Sequence, residues 1–202
     1  METLTSVIRF ISRWTALLGG FILIVLTAIT VASVSGRALA TMANLHDGQG
    51  WLTPLYPLMR SIGEFFTQFG IGPIPGDFEL VEVGTAFAIF AFLPWAHFNR
   101  GHASVEILAN WFPDTMNLVI DVIADLMMFL IAILIAWRHW LGMLDKISYG
   151  EVTFILQFPL WWGYAASMFG AVVFVIVTAF CLLRSLVALT KGKHVERAGV
   201  AH

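Results

Sequence analysis

The stretch Trp14–Ser35, WTALLGGFILIVLTAITVASVS, runs for 22 residues without a charged side chain. As a helix it reaches roughly 33 Å at about 1.5 Å per residue, enough to cross a hydrocarbon layer about 30 Å thick. Arg9 and Arg13 stand in front of it and Ala38-Leu39-Ala40 behind it, an arrangement that also suits a cleaved secretory leader. The apolar part of such a leader is usually only about 7–15 residues long, so the stretch is read as a retained membrane span.

The rest of the chain has the same character. Of its 202 residues, 59% are hydrophobic and 12% are charged, whereas a soluble domain carries about 25% charge. Mean hydropathy is +0.84. The class is integral membrane. A net charge of -2 gives no sign of a nucleic-acid partner. The single cysteine, Cys181, excludes an internal disulfide framework and a CxxC redox pair. It lies in the last apolar run and reads as a small packed residue.

Three further spans follow. Val83–Phe98 is bounded by Glu79 and Glu82 in front and Arg100 behind. Pro94 falls near its end, where it frees a carbonyl and is expected to kink the helix. Leu118–Trp137 carries Asp121 and Asp125 in its first turns, one helical turn apart on one face. The stretch from Val152 to Leu183 is uncharged and too long for one straight crossing. Pro159 is expected as its first helical residue. That leaves Pro159–Leu183 as the span and Val152–Phe158 as a loop or re-entrant piece. The expected fold is therefore all-α, one membrane domain over residues 1–202, with spans near 14–35, 83–98, 118–137 and 159–183.

Charge sets the direction. With the N-terminus inside, the inner segments hold seven cations: Arg9, Arg13, Arg100, Arg184, Lys191, Lys193 and Arg197. The outer loops hold four, Arg37, Arg60, Arg138 and Lys146, with seven acids: Asp47, Glu64, Asp77, Glu79, Glu82, Asp145 and Glu151. Both termini are expected in the cytoplasm. Tryptophans fit interfacial belts, with Trp14, Trp95 and Trp111 at inner ends and Trp137, Trp140, Trp161 and Trp162 at outer ends.

The loop 41–78 is too long for a tight turn and too aromatic for a flexible linker. Trp51, Leu55, Leu58, Met59, Ile62, Phe65, Phe66 and Phe69 recur at three- and four-residue steps, with Arg60, Glu64, Thr67 and Gln68 mostly off that stripe. This predicts an amphipathic helix on the outer side, lying on the membrane, docked on a partner, or capping this chain's own bundle. Gly70-Ile71-Gly72-Pro73-Ile74-Pro75-Gly76 ends it.

The polar residues admit both functional and structural readings. Glu79 and Glu82 suit contact with a partner, an ion or loop cations, and equally suit a helix N-terminus through its dipole. Asp121 and Asp125 are candidates for a proton or ion site, yet they lie near the inner interface, where water or Arg100 can satisfy them. Six histidines raise the question of a haem. His97 and His102 belong to the inner end and His139 to the outer end, separated by roughly the thickness of the bilayer, about 30 Å, so they cannot share an iron. His46, His194 and His202 lie outside the spans. No nucleophile–base constellation, phosphate loop or zinc spacing occurs. Nor do two discontinuous helices in matching halves, the pointer to a transporter's own substrate site.

Four features together carry a family resemblance. Arg37 follows the first span in Ser35-Gly36-Arg37, and acids open the second in Phe78-Glu79-Leu80-Val81-Glu82. That span runs into Asn99-Arg100-Gly101-His102-Ala103-Ser104-Val105-Glu106. Gly150-Glu151-Val152-Thr153 leads through Phe158-Pro159-Leu160-Trp161 into the fourth. With four spans and both ends inside, the pattern from about Phe78 to Leu183 resembles the small, DctQ-like membrane subunit of tripartite ATP-independent periplasmic transporters. It departs at Thr41–Phe78, longer than the corresponding connection in typical members. The resemblance implies a non-enzymatic scaffold in the bacterial inner membrane, without a cofactor of its own. Its implied partners are a large multi-span subunit bearing substrate and sodium sites, a periplasmic solute-binding protein, and membrane lipid. The solute class implied is an organic acid anion. Interface candidates are Arg37, Glu79, Glu82, Arg100, Gly101, His102, Glu151, Pro159 and Trp161. Gly19, Gly20, Gly163, Ala165, Ala166, Gly170 and Ala171 suit close helix approach, to a partner or within the chain. Two other classes remain open from the residues: a membrane anchor of a respiratory enzyme, and an independent small channel or transporter.

Overall fold

The computed structural model describes residues 2–44, 55–68, 72–99 and 113–191. Five helices fill these residues: α1 (Glu2–Ala43), α2 (Tyr56–Gln68), α3 (Asp77–Phe98), α4 (Asp114–Tyr149) and α5 (Trp161–Lys191). All but α2 are long and apolar enough to cross a membrane. The protein is an all-α membrane protein, and among the described residues it has four crossing helices and one short amphipathic helix.

The crossing helices outrun their uncharged stretches, α5 by continuing past Leu183 through Arg184 to Lys191. α1 has 42 residues and is about 63 Å long at the helical rise. It carries Arg9 and Arg13 in turns beyond the apolar run. α4 has 36 residues and continues through Arg138, His139, Asp145 and Lys146 to a left-handed Gly150 at φ 61°. α3 begins at Asp77, six residues before the run Val83–Phe98, and continues through Pro94 to Phe98. α5 begins at Trp161, so Pro159 is not its first residue. Pro159 instead pairs with Val152 in an isolated antiparallel bridge. This is a position where its missing N–H costs nothing in helix hydrogen bonding.

The helices lie side by side in the order α2, α1, α3, α5, α4, with α1 and α5 meeting only over a short stretch. The result is a slab. Of its two inner crossing helices, α3 and α5, α5 is the more enclosed, while α1 and α4 form the edges and leave most of their apolar side chains exposed. Small residues set the spacing. A Cβ on Gly19 of α1 meets Ala91 of α3 at 2.9 Å, and one on Gly170 of α5 meets the backbone of Phe90 at 2.8 Å. Gly163 and Ala171 are buried in the same packing, whereas Gly20 has open space and Ala166 is exposed. One core cluster joins α1, α3 and α5: Ile8, Phe98, Val173, Val177, Phe180 and Cys181. Hydroxyls within the apolar helices return to their own backbone. Ser12, Thr15, Thr30, Ser167 and Thr178 each donate to the carbonyl four residues earlier, which removes the cost of an unpaired polar group in lipid.

α2 packs on the last turns of α1. Gly63 makes this possible, since a Cβ there runs into Leu39 and Ala43. Leu55, Leu58, Ile62, Phe65 and Phe66 remain exposed. Most of the apolar stripe therefore does not cap the chain's own bundle. Trp51 and Phe69, at the ends of the expected stripe, lie outside the described residues.

Candidate functional site

The first turn of α3 ties the slab together at one end. Gly76 precedes it in the left-handed region at φ 75°, and the Leu156 side chain occupies the space a Cβ would need. Asp77 accepts a hydrogen bond and ion pair from Arg37 of α1 at 2.7 Å. Arg37 also donates to Ser33 Oγ at 3.2 Å, and the Ile74 N–H donates to the same hydroxyl at 3.3 Å. One acid and one arginine thus hold α1 against α3 and against the strand of chain that enters α3.

Glu79 reaches the other way. It is 5% exposed. Its Oε1 accepts the N–H of Ile155 at 2.6 Å and its Oε2 the N–H of Leu156 at 3.0 Å. These amides belong to the hairpin-like connection between α4 and α5. Thr153 N–H donates to Phe158 O at 2.9 Å, and Leu160 N–H to Glu151 O at 3.0 Å. Phe158 N–H donates to Thr153 Oγ1 at 3.2 Å. Gln157, at φ 57°, turns the chain and donates from its amide to Phe154 O at 2.7 Å. Lys146 Nζ pairs with Glu151 Oε2 at 2.6 Å, binding the end of α4 to the same loop. Nearly all the loop's polar groups are therefore directed inward, and its apolar tip is not: Phe154 is 91% exposed, with Ile155 and Leu156 exposed beside it.

The sequence candidates divide accordingly. Arg37, Glu79 and Glu151 bond within the chain. Glu82 is exposed on α3. Pro159 closes the loop, and Trp161 opens α5 with its ring edge-on to Trp162 at 6.1 Å. Arg100, Gly101 and His102 lie outside the described residues, as do Trp111, His46, Lys193, His194, Arg197 and His202.

At the opposite end lie two groupings whose members the sequence did not bring together. Asp125 of α4 accepts a short hydrogen bond from Ser185 of α5 and lies 3.6 Å from His97 Nε2 of α3. All three are buried. His97 also sits edge-on to Phe174 at 6.2 Å. His139 stands apart, with its Nε2 3.0 Å from Tyr164 O and its ring stacked on Tyr164 at 5.0 Å. The second grouping is Phe98, which carries the guanidinium of Arg9 on α1 at 5.9 Å and that of Arg184 on α5 at 5.6 Å.

None of these groupings aligns a nucleophile with a base. They fasten neighbouring helices to one another, at both ends of a slab whose edges are apolar. The class they define is a multi-pass membrane protein whose crossing helices are tied to one another. The family model described as tripartite ATP-independent periplasmic transporters, DctQ component, matches residues 61–189. The chain belongs to that family and is the small membrane component of such a transporter. The match begins inside α2, so residues 61–78, read from the sequence as a departure from the family, fall within it. Arg37 falls before it. Neither the curated proteins nor the solved structures gave a match.

Proposed function

We propose that this chain scaffolds the large subunit of a sodium-coupled, binding-protein-dependent uptake system for an organic acid anion. The family match across three of the four crossing helices carries this reading. The slab supports it physically. A moving transport domain needs a frame that does not move with it. Helices fastened at both ends by Arg37–Asp77, Glu79–loop and Asp125–Ser185 contacts meet that need. The exposed edges of α1 and α4 offer area for association, which in lipid rests on close packing rather than on hydrophobic burial.

Both termini are cytoplasmic on this reading, from the excess of cations in the inner segments. The first turn of α3, the α4–α5 loop and α2 then lie on the periplasmic side, where a solute-binding protein docks. The chain does no chemistry of its own, holds no cofactor, and leaves sodium and solute binding to the large subunit.

The test is reconstitution. Liposomes holding this chain alone should take up no organic acid under a sodium gradient. Liposomes holding it with the large subunit, and supplied with the binding protein, should take it up. Flux from this chain alone would overturn the scaffold reading.

A further inference from the structure

Arg9 and Arg184 come from opposite ends of the sequence, and each places its guanidinium over the ring of Phe98, the last residue of α3, at 5.9 and 5.6 Å from the ring centre. The ring is 1% exposed and stacks on Trp95 and Phe180, so it is a fixed platform. A ring face attracts a guanidinium, but it accepts none of the five N–H groups in the guanidinium plane. Among the described residues neither arginine forms an ion pair, and Arg184 Nε is buried without a hydrogen-bond partner. Two acids stand at this end of α4, Asp121 and Asp125, and both are engaged, Asp125 by Ser185 and His97. Among the described residues, these two like charges held on one ring, with a buried donor left over, have no anion beside them, and an anion would complete them.

Depth identifies the anion. Arg9 lies five residues before the uncharged run Trp14–Ser35, and Arg184 is the first charge after the run from Val152 to Leu183. Phe98 closes the apolar run of α3. All three therefore sit where the hydrocarbon ends. The abundant anion at that level is the phosphate of a phospholipid, and a guanidinium fork binds phosphate oxygens in pairs. Arg13, one turn beyond Arg9 on the exposed surface of α1, adds positive potential that favours a lipid of net negative charge.

We propose that Arg9 and Arg184, seated on Phe98, form a binding site for the phosphate of one anionic phospholipid at this end of the slab. That the site faces the cytoplasmic leaflet rests on the orientation proposed above. The site itself does not.

Full-length protein, stripped of lipid in mild detergent, tests this by native mass spectrometry and thermal unfolding. The probes are phosphatidylglycerol, phosphatidylcholine and inorganic phosphate. Phosphatidylglycerol should bind in a one-to-one complex and raise the melting temperature more than phosphatidylcholine does. Inorganic phosphate at the same concentration should do neither. Arg9→Gln and Arg184→Gln should each weaken phosphatidylglycerol binding by about tenfold or more. Arg138→Gln, on α4, should leave it unchanged. Arg184→Lys keeps the charge but loses the fork, and should fall between the wild type and Arg184→Gln. It also serves if the glutamine variant does not fold. Equal binding by wild type and both glutamine variants would overturn the proposal. An equal effect of inorganic phosphate would overturn the lipid assignment. The titration needs no partner, so its failure is distinct from failure of the transporter reading.

Discussion

Glu79 uses both carboxylate oxygens on backbone N–H groups 76 and 77 residues further along the chain. The sequence showed an acid at a helix start. It did not show that acid's partners, because backbone amides look the same at every residue. Glu79→Ala should therefore raise hydrogen exchange at the amides of Ile155 and Leu156 by roughly tenfold, while Glu82→Ala, at an exposed position one turn on, leaves them unchanged. Unaltered protection in Glu79→Ala would show that the loop holds without it. Asp125 is a second case. Its place in an early turn of α4 was legible, and satisfaction by water or Arg100 was the structural expectation. Ser185 and His97 lie against it, from two other helices, while Arg100 lies outside the described residues. Removing one member of a buried pair costs about 3–5 kcal/mol, so Asp125→Ala should markedly lower stability to thermal or detergent unfolding. Asp125→Asn keeps an acceptor for Ser185 and should lose less.

At the scale of elements, the apolar runs were readable because a bilayer demands about 20 consecutive apolar residues. Helix ends were less so. Polar turns of α1 and α4 outside the hydrocarbon satisfy their hydrogen bonds internally and continue the helix, and neither helix contains proline. Periodicity found α2 but not its neighbour, since an apolar stripe looks the same whatever covers it. Gly63 turned out to be the contact with α1, and the stripe stayed exposed. Close approach makes the glycines sensitive to size. Gly170→Leu forces a side chain into the backbone of Phe90, and overpacking of this kind costs about 1–3 kcal/mol. Gly20→Leu meets open space and should leave unfolding in detergent nearly unchanged. Equal losses in both variants would mean that glycine itself, not the α3–α5 contact, sets the stability.

For the whole molecule, composition alone decided the membrane class, and the pattern of acids, Arg-Gly-His and Pro-aromatic steps pointed to the family that the match over 61–189 shows. The order of helices in the slab was not legible. In lipid, every crossing helix is apolar all round, so hydrophobicity carries no record of which neighbour a face meets. Arg100→Glu belongs to this scale, because one charge between α3 and α4 bears on the orientation of two helices. It should reduce assembly with the large subunit or invert the local topology, as read by co-purification and by labelling of loop cysteines from each side. Unchanged assembly and uptake would remove Arg100 from the account. The central claim is that this slab exists to frame a larger partner. The most direct measurement is purification of the C-terminally tagged chain from native membranes in mild detergent, with identification of what accompanies it. A large multi-span membrane protein in stoichiometric amount is the expected result. A cofactor-bearing enzyme in its place, or no partner at all, would contradict it.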